Sequence, residues 1–238
     1  MPESLRNFDA MWANYPVPGG PAAEAKRMIG GAIDAAWITN TCVVRVSRSF
    51  NYSANLVPAT SAALLTVPGA DGRHHALRVA EFETYLRRRY GPPTRSHTYA
   101  PALGGPVPAP FVGKKGVICF EVSRWSDATG HFDLWDGAAC RHHGYFDLAD
   151  AVHLWEVPPG PPAATLGGSV GRGGVNRAAD VLAVQERLAL RGVDPGPVDG
   201  AIGAKTLAAI EAFQTGFMAR PDGRVDPGGR TWQELLGR

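Results

Sequence analysis

The sequence predicts an α+β protein whose helices come first and whose antiparallel sheet follows, with a small all-α domain behind them. Apolar residues recur at helical spacing before residue 91, and runs of strand-forming residues follow between residues 116 and 157. After residue 177 the helical spacing returns, and a Pro/Gly-rich stretch without periodicity precedes it. We therefore predict a first, larger domain over 1–158, a linker over 159–176 and a second domain over 177–238.

The N-terminal domain has two sets of predicted elements. Its helices are Ala22–Ile29, Cys42–Asn51 and Arg78–Tyr90. Its strands are Gly116–Ser123, Thr129–Trp135, roughly Ala138–His143, and Val152–Val157. The Pro/Gly-dense stretch Pro101–Pro110 is predicted to be a surface loop.

The C-terminal domain is predicted to hold three helices, around Val181–Leu190, Thr206–Phe213 and Thr231–Leu236. A weak repeat links the last two, because Asp-Gly precedes a Thr and a helix in both cases, at Asp199-Gly200 and Asp222-Gly223. Asp-Gly favours a turn, and Thr can cap the helix that it precedes. We interpret these repeated residues as structural.

The segment from Thr129 to His143 carries two histidines that a hairpin would bring together. Asp136-Gly137 is a strong signal for a two-residue turn. That turn pairs Asp133 with Cys140 and His131 with His142, and cross-strand partners lie on one face about 5 Å apart. A histidine held by a second polar group is half of a nucleophilic site.

Cys42 is the candidate nucleophile. Thr39, Asn40 or Thr41 can cap a helix that begins at Cys42, and the free N–H groups and dipole of a helix start favour a thiolate. Its backbone N–H is also the expected donor to an oxyanion. The other two cysteines, Cys119 and Cys140, fit better as core or half-buried thiols.

Composition narrows the function classes. A net charge of +2 and a pI near 8.5 do not indicate nucleic-acid binding, though they suit a polyanionic wall polymer. No segment reaches membrane-spanning length. The three cysteines and seven histidines show neither a disulfide framework nor a metal-ligand spacing, so we expect no cofactor and no metal. The N-terminus has no apolar core typical of a secretory signal, which predicts synthesis in the cytoplasm without one.

The C-terminal segment resembles the small three-helix peptidoglycan-binding domain. The matching residues are Val184–Leu188, Gly192, Val198–Gly203, Thr206, Ala212–Gln214, Asp222-Gly223 and Thr231. The resemblance implies docking onto cell-wall glycopeptide.

The N-terminal part, roughly Phe8 to Val157, resembles the type VI secretion amidase effectors of the fourth family. The matching stretches are Trp12–Pro16, Asn40–Arg48, Asn51-Tyr52, Arg78-Val79, Gly113–Gly116, Ser126–Trp135 and Val152–Trp155. The resemblance implies a papain-like fold of the NlpC type and cleavage of the amide between D-glutamate and meso-diaminopimelate in wall peptides. By match Cys42 is the nucleophile and His131 the base. It also implies action in the periplasm of a target cell and a cognate immunity protein as partner.

The sequence departs from that family at the third catalytic position, where His142 stands in place of an aspartate. NlpC-type relatives often use histidine there, and the predicted register favours His142, with Asp133 as the rival that could orient His131. Two other readings stay open at this point. One is a phage-type endolysin with the same chemistry, and the other is an inactive wall-binding protein.

Overall fold

The computed structural model of the protein describes residues 2–99, 104–126, 128–159 and 165–236. The chain divides into two compact units. The first contains Met1–Asn51 and Asn55–Gly160, and the second contains Tyr52–Ala54 and Pro161–Arg238. Within the described ranges, no helix is both long and apolar enough to cross a bilayer.

The first unit begins with helices. They are α1 (Phe8–Ala13), α2 (Ala22–Ile29), α3 (Cys42–Asn51) and α4 (Val79–Tyr90). The predicted helices over α2 and α3 are confirmed with their bounds, and α4 begins one residue later than predicted. Helix α1 was not predicted from the sequence. Helix α3 is buried along almost its whole surface, because Val43, Val44, Val46 and Phe50 cover several of its faces.

The strands form two antiparallel sheets in this unit. A small hairpin joins β1 (Thr66–Pro68) to β2 (His74–Ala76). The main sheet has the order β3-β6-β4-β5, in which the strands are β3 (Arg95–Thr98), β4 (Gly116–Glu121), β5 (Gly130–Trp135) and β6 (Ala151–Glu156). The strands β4, β5 and β6 were predicted within one or two residues, whereas β1, β2 and β3 were not.

Both faces of the main sheet are covered by apolar side chains. On the face toward α3 and α4, the Phe82 and Phe132 rings meet edge to face with centroids 5.1 Å apart. On the other face, Phe120 and Trp135 pack with Phe146. Truncating a fully buried phenylalanine such as Phe132 to alanine costs about 3–5 kcal/mol. The two layers of side chains therefore hold β5 rigidly between them.

The second unit contains the helices α5 (Ala178–Leu190), α6 (Ala204–Gln214) and α7 (Arg230–Leu236). A two-stranded ribbon accompanies them, in which β7 (Val170–Gly171) pairs with β8 (Arg224–Val225). The second unit includes part of the stretch 159–176 that was predicted to be a linker. Residues 160–164 lie outside the described residues, but Leu166 and Val170 are buried in the core of this unit. The Gly-rich composition of this stretch gave no indication that Leu166 and Val170 are core residues or that β7 is a strand.

Two buried glutamines explain the repeat seen in this part of the sequence. The Gln185 side chain donates to Asp199 Oδ1, Ala201 O and Thr206 Oγ1 and accepts from the N–H groups of Asp199 and Gly200. The Gln214 side chain makes the same five bonds, with Asp222, Gly223, Arg224 and Thr231. Each Asp-Gly turn is thus fastened from inside to the helix before it and the helix after it.

Candidate active site

Cys42 is the first residue of α3, as the sequence predicted. The first helical bond runs from Arg45 N to Thr41 O at 2.9 Å, and Cys42 is only 5% exposed. Its backbone N–H donates to Asn40 Oδ1 at 3.0 Å. The expected oxyanion donor therefore already has an acceptor in this structure.

His131 lies on β5, which packs against α3. The side chain is buried, and the Tyr145 ring meets it edge to face with centroids 4.9 Å apart. Cys42 and His131 line one cavity of about 580 Å³. The structure thus brings together the candidate nucleophile and the candidate base that the sequence singled out.

The predicted hairpin register after β5 is wrong. The one ladder contact is a bridge between Trp135 and Cys140, and the loop between them closes with Asp136 N donating to Ala139 O. A two-residue turn of the predicted type requires positive φ at Asp136 and Gly137. Only Gly137 has one, at 102°. Residues 138–143 do not form the predicted strand, and β5 pairs instead with β4, where Phe120 lies opposite His131.

The Asp136 side chain is the physical reason for this difference. Its Oδ1 accepts the N–H groups of Ala138 and Ala139, both at 2.8 Å. These bonds stabilise a wider loop, because an aspartate that accepts from residues ahead of it forms its own local turn. The register moves by two residues, and His142 faces Asp133 instead of His131.

Asp133 is the anchor of this part of the site. Its carboxylate is fully buried, and Oδ2 accepts the N–H groups of His142 and His143 at 2.9 and 2.8 Å. Oδ1 accepts from Leu134 N. Oδ2 also lies 3.9 Å from Nε2 of His131, beyond hydrogen-bond distance but close enough for strong charge interaction. Asp133 therefore supports His131 electrostatically and holds the segment that carries His142.

The electrostatics of His131 favour its cationic form. Burial lowers its pKa, but the Asp133 carboxylate and then Cys42 raise it, to about 9 against an ordinary 6.5. At neutral pH the ring is an imidazolium. A cationic imidazole beside a cysteine is the environment that stabilises a thiolate.

His142 lines the same cavity through the Asp133 contacts and not through strand pairing. Burial, followed by the Arg45 charge, lowers its pKa, so its ring is neutral at neutral pH. Within the described part of the chain, Nδ1 of His142 and Nε2 of His131 are both buried and have no hydrogen-bond partner.

Arg45 and Tyr15 were not predicted from the sequence as residues of this site. The buried Arg45 guanidinium lines the cavity and donates to Pro16 O, Val17 O and Gly20 O, which fixes the chain after α1 beside α3. Tyr15 is 3% exposed, and burial and then the Asp133 charge raise its pKa well above the ordinary value. An arginine in the apolar run Val43–Val46 was the available signal, since a buried charge needs dedicated partners.

The rim of the cavity is aromatic and comes from the segments after β4 and β5. The Trp125 and Tyr145 rings meet edge to face with centroids 4.8 Å apart, and both line the cavity with Leu148. Such a rim provides flat surfaces against which an extended peptide can pack.

The remaining cysteines lie outside this cavity. All three cysteines of the chain are free thiols. Cys119 is fully buried on β4, and burial raises its pKa well above the ordinary value. Burial likewise raises the pKa of Cys140. Both therefore favour the unreactive thiol form at neutral pH.

One group of metal-type ligands occurs among the described residues, away from Cys42. The ligand atoms of Glu83, Glu121 and His153 lie within 4.8 Å of one another. These groups already have partners, because Arg87 donates twice to Glu83 within α4, and His153 lies between Ser96 Oγ at 2.8 Å and Glu121 Oε1 at 3.0 Å within the sheet.

Comparison with known proteins agrees with both halves of this description. Residues 38–155 match the family model of type VI secretion system amidase effector protein 4, and residues 177–235 match that of a peptidoglycan binding domain. No curated protein sequence matches the chain.

Solved structures of Tae4 effectors are similar to this chain. The type VI effector Tae4 from Enterobacter cloacae is 27% identical with a TM-score of 0.58, over 66% of this chain and 100% of that one. The same effector in its complex with Tai4 gives 27% identity and a TM-score of 0.57, over 64% and 99% of the two chains. Tae4 from Salmonella typhimurium, in complex with the immunity protein Tai4 from E. cloacae, gives 25% and 0.57, again over 64% and 99%. The family match over residues 38–155 contains every residue that lines the cavity with Cys42 and His131. This part of the chain belongs to the type VI secretion amidase effector family 4, and a peptidoglycan-binding domain follows it in the sequence.

Proposed function

We propose that residues 1–158 form a cysteine amidase that hydrolyses the D-Glu to meso-diaminopimelate bond of peptidoglycan stem peptides. The observation that carries this proposal is a single cavity in which Cys42, at the start of a buried helix, meets the cationic His131. A helix that bears the cysteine and packs against an antiparallel strand that bears the histidine supports a papain-like fold of the NlpC type.

The mechanism follows from the charge states. The Cys42 thiolate attacks the amide carbonyl carbon, and the carbonyl oxygen becomes an oxyanion. His131 gives its proton to the leaving amine as the C–N bond breaks, which leaves a thioester on Cys42. The now neutral His131 takes a proton from water, whose oxygen attacks the thioester carbon. The acid product leaves, and the thiolate and imidazolium are restored.

The third member of the site is His142 in this proposal. His131 in its cationic form carries an Nε2–H without an acceptor, and neutral His142 has a buried Nδ1 without a donor. A hydrogen bond between them would satisfy both groups and fix the ring of His131. Asp133 then acts as a supporting residue, which supplies negative charge to His131 and anchors His142 through its backbone N–H.

The test is mass spectrometry of peptidoglycan digested by the wild type and by Cys42→Ala. The wild type should release fragments with a new amine on diaminopimelate, and Cys42→Ala should release none while it remains folded. Cys119→Ala and Cys140→Ala are the matched controls and should keep most activity. Substantial cleavage by Cys42→Ala would exclude the cysteine mechanism, and cleavage at another bond would exclude the proposed specificity.

We also propose that the chain is an antibacterial effector that acts in the periplasm of a target cell and has a cognate immunity protein. The family match and the Tae4–Tai4 complexes of the similar structures support an effector over an endolysin. Expression of the wild type directed to the periplasm should lyse cells, and Cys42→Ala should not. Co-expression of a cognate immunity protein should prevent lysis.

Residues 177–238 are proposed to bind peptidoglycan and to raise the local concentration of the amidase at the wall. The full chain and a version ending at Pro158 should cut soluble muropeptides at similar rates, because Cys42, His131 and His142 all precede that point. The shorter version should cut intact sacculi more slowly. Equal rates on sacculi would assign the C-terminal domain a different role.

A further inference from the structure

The loop before α3 contains a side chain that occupies the donor needed by the reaction. Asn40 Oδ1 accepts the Cys42 backbone N–H at 3.0 Å. An N–H beside the nucleophile is the group that stabilises the oxyanion when the sulfur attacks a carbonyl. Substrate can use this donor only if the Asn40 oxygen leaves it.

The structure allows Asn40 to move without disturbing the helix. Asn40 is exposed at the edge of the cavity, whereas Thr41 and Cys42 behind it are buried. The helix start has its own bonds, from Arg45 N to Thr41 O at 2.9 Å and from Arg45 Nε to Thr41 Oγ1 at 3.3 Å. One local hydrogen bond contributes only about 0.5–1.5 kcal/mol, so its exchange for a bond to substrate costs little.

The charged Arg45 side chain on this side of the cavity is fully engaged by other partners. Both Arg45 terminal nitrogens donate to the carbonyls of residues 16, 17 and 20, and its Nε donates to Thr41. In the described part of the chain, by contrast, no group accepts a hydrogen bond from Asn40 Nδ2. The Asn40 side-chain amide therefore has an NH₂ group free to donate, attached to the same carbon as the oxygen that accepts the Cys42 N–H.

We propose that Asn40 is the second oxyanion donor of this site. The substrate carbonyl oxygen displaces Asn40 Oδ1 from Cys42 N–H, and Asn40 Nδ2 then donates to the same oxygen as it becomes negative. Cys42 N–H and Asn40 Nδ2 together form the oxyanion hole. This inference rests on the proposed cysteine mechanism and adds a catalytic residue to it.

The experiment compares Asn40→Ala and Asn40→Asp with the wild-type full chain on soluble muropeptides. Asn40→Asp keeps an acceptor for Cys42 N–H and so preserves the loop, but it has no donor and repels the oxyanion. Loss of one oxyanion donor lowers kcat about 10²–10³-fold, and we expect both variants to show this loss with KM changed only a few-fold. Asp34→Asn, at an exposed position before α3 that does not line the cavity, is the control and should stay near wild type.

Alkylation of Cys42 by iodoacetamide separates this inference from the proposed mechanism, because the reaction forms no oxyanion. We expect Asn40→Ala to be alkylated at the wild-type rate despite its low kcat. A kcat for Asn40→Asp or Asn40→Ala within three-fold of wild type would overturn the role of Asn40. Activity in Cys42→Ala would instead overturn the cysteine mechanism itself.

Discussion

The substitution Asp133→Asn tests how the buried carboxylate stabilises the site. The two oxygens of Asp133 accept three backbone N–H groups, from Leu134, His142 and His143. An amide keeps one acceptor oxygen, and its NH₂ group then faces at least one of these N–H groups. A buried donor left without an acceptor costs about 1–3 kcal/mol, and this cost does not depend on the charge of His131.

A second contribution depends on pH through His131. Its pKa of about 9 in the folded protein, against 6.5 for the ordinary side chain, corresponds to about 3 kcal/mol of stability. Burial lowers that pKa, and Asp133 is the largest of the influences that raise it. Because the folded-state pKa is the higher one, this stabilisation is complete below pH 6.5 and is lost as the pH rises through about 9.

Asp133→Asn should therefore lower the free energy of unfolding by about 2–5 kcal/mol at pH 6 and by only about 1–3 kcal/mol at pH 10. Urea unfolding followed by tryptophan fluorescence measures this, because five of the six tryptophans precede residue 156. Asp147→Asn, at an exposed carboxylate in the same segment, is the matched control and should change little. An equal loss at both pH values would refute the coupling between Asp133 and His131.

Three further outcomes are expected. His142→Ala should lower kcat at least ten-fold without unfolding the protein. His142→Asp should restore a good part of the lost activity, since a carboxylate can accept the same hydrogen bond from His131. Equal activity of the alanine variant and the wild type would show that His142 has no catalytic role. Arg45→Met should lower the melting temperature of the first unit by several degrees, because three backbone carbonyls lose a charged donor. A melting temperature within one degree of wild type would show that these hydrogen bonds do not stabilise the unit. Gln214→Leu should destabilise the second unit by about 2–4 kcal/mol in amide hydrogen exchange, since two N–H groups and their partners lose bonds, whereas exchange in the first unit should not change.

The sequence was sufficient for the features that depend on local periodicity. Helix α3 begins at Cys42 as predicted, because polar residues that favour caps stand directly before an apolar helical pattern. His131 lies on its predicted strand, because the segment Thr129–Trp135 is rich in strand-forming residues. Strand β4 contains the continuous apolar run Val117–Phe120, which is the pattern of a buried strand.

Features that depend on a side chain competing with the backbone were harder to predict. The Asp-Gly pair at 136–137 indicated a tight turn, but the Asp136 carboxylate accepts two N–H groups and opens the loop. Strand β3 was missed because Arg95–Thr98 is polar and half-exposed, and only its pairing with β6 makes it a strand. The role of Asp133 as an anchor needed the fold, since its partners lie nine and ten positions away in the chain.

The paired glutamines of the second unit have a consequence for the divergence of this domain. Gln185 and Gln214 hold the two Asp-Gly turns from the buried side, and the aspartates Asp199 and Asp222 each accept a further N–H two residues on. The other exposed side chains near these turns contribute little to their shape. Substitutions there can accumulate while the backbone of the turns keeps its shape. We expect surface substitutions beside these turns to change what the domain contacts while its interior stays the same.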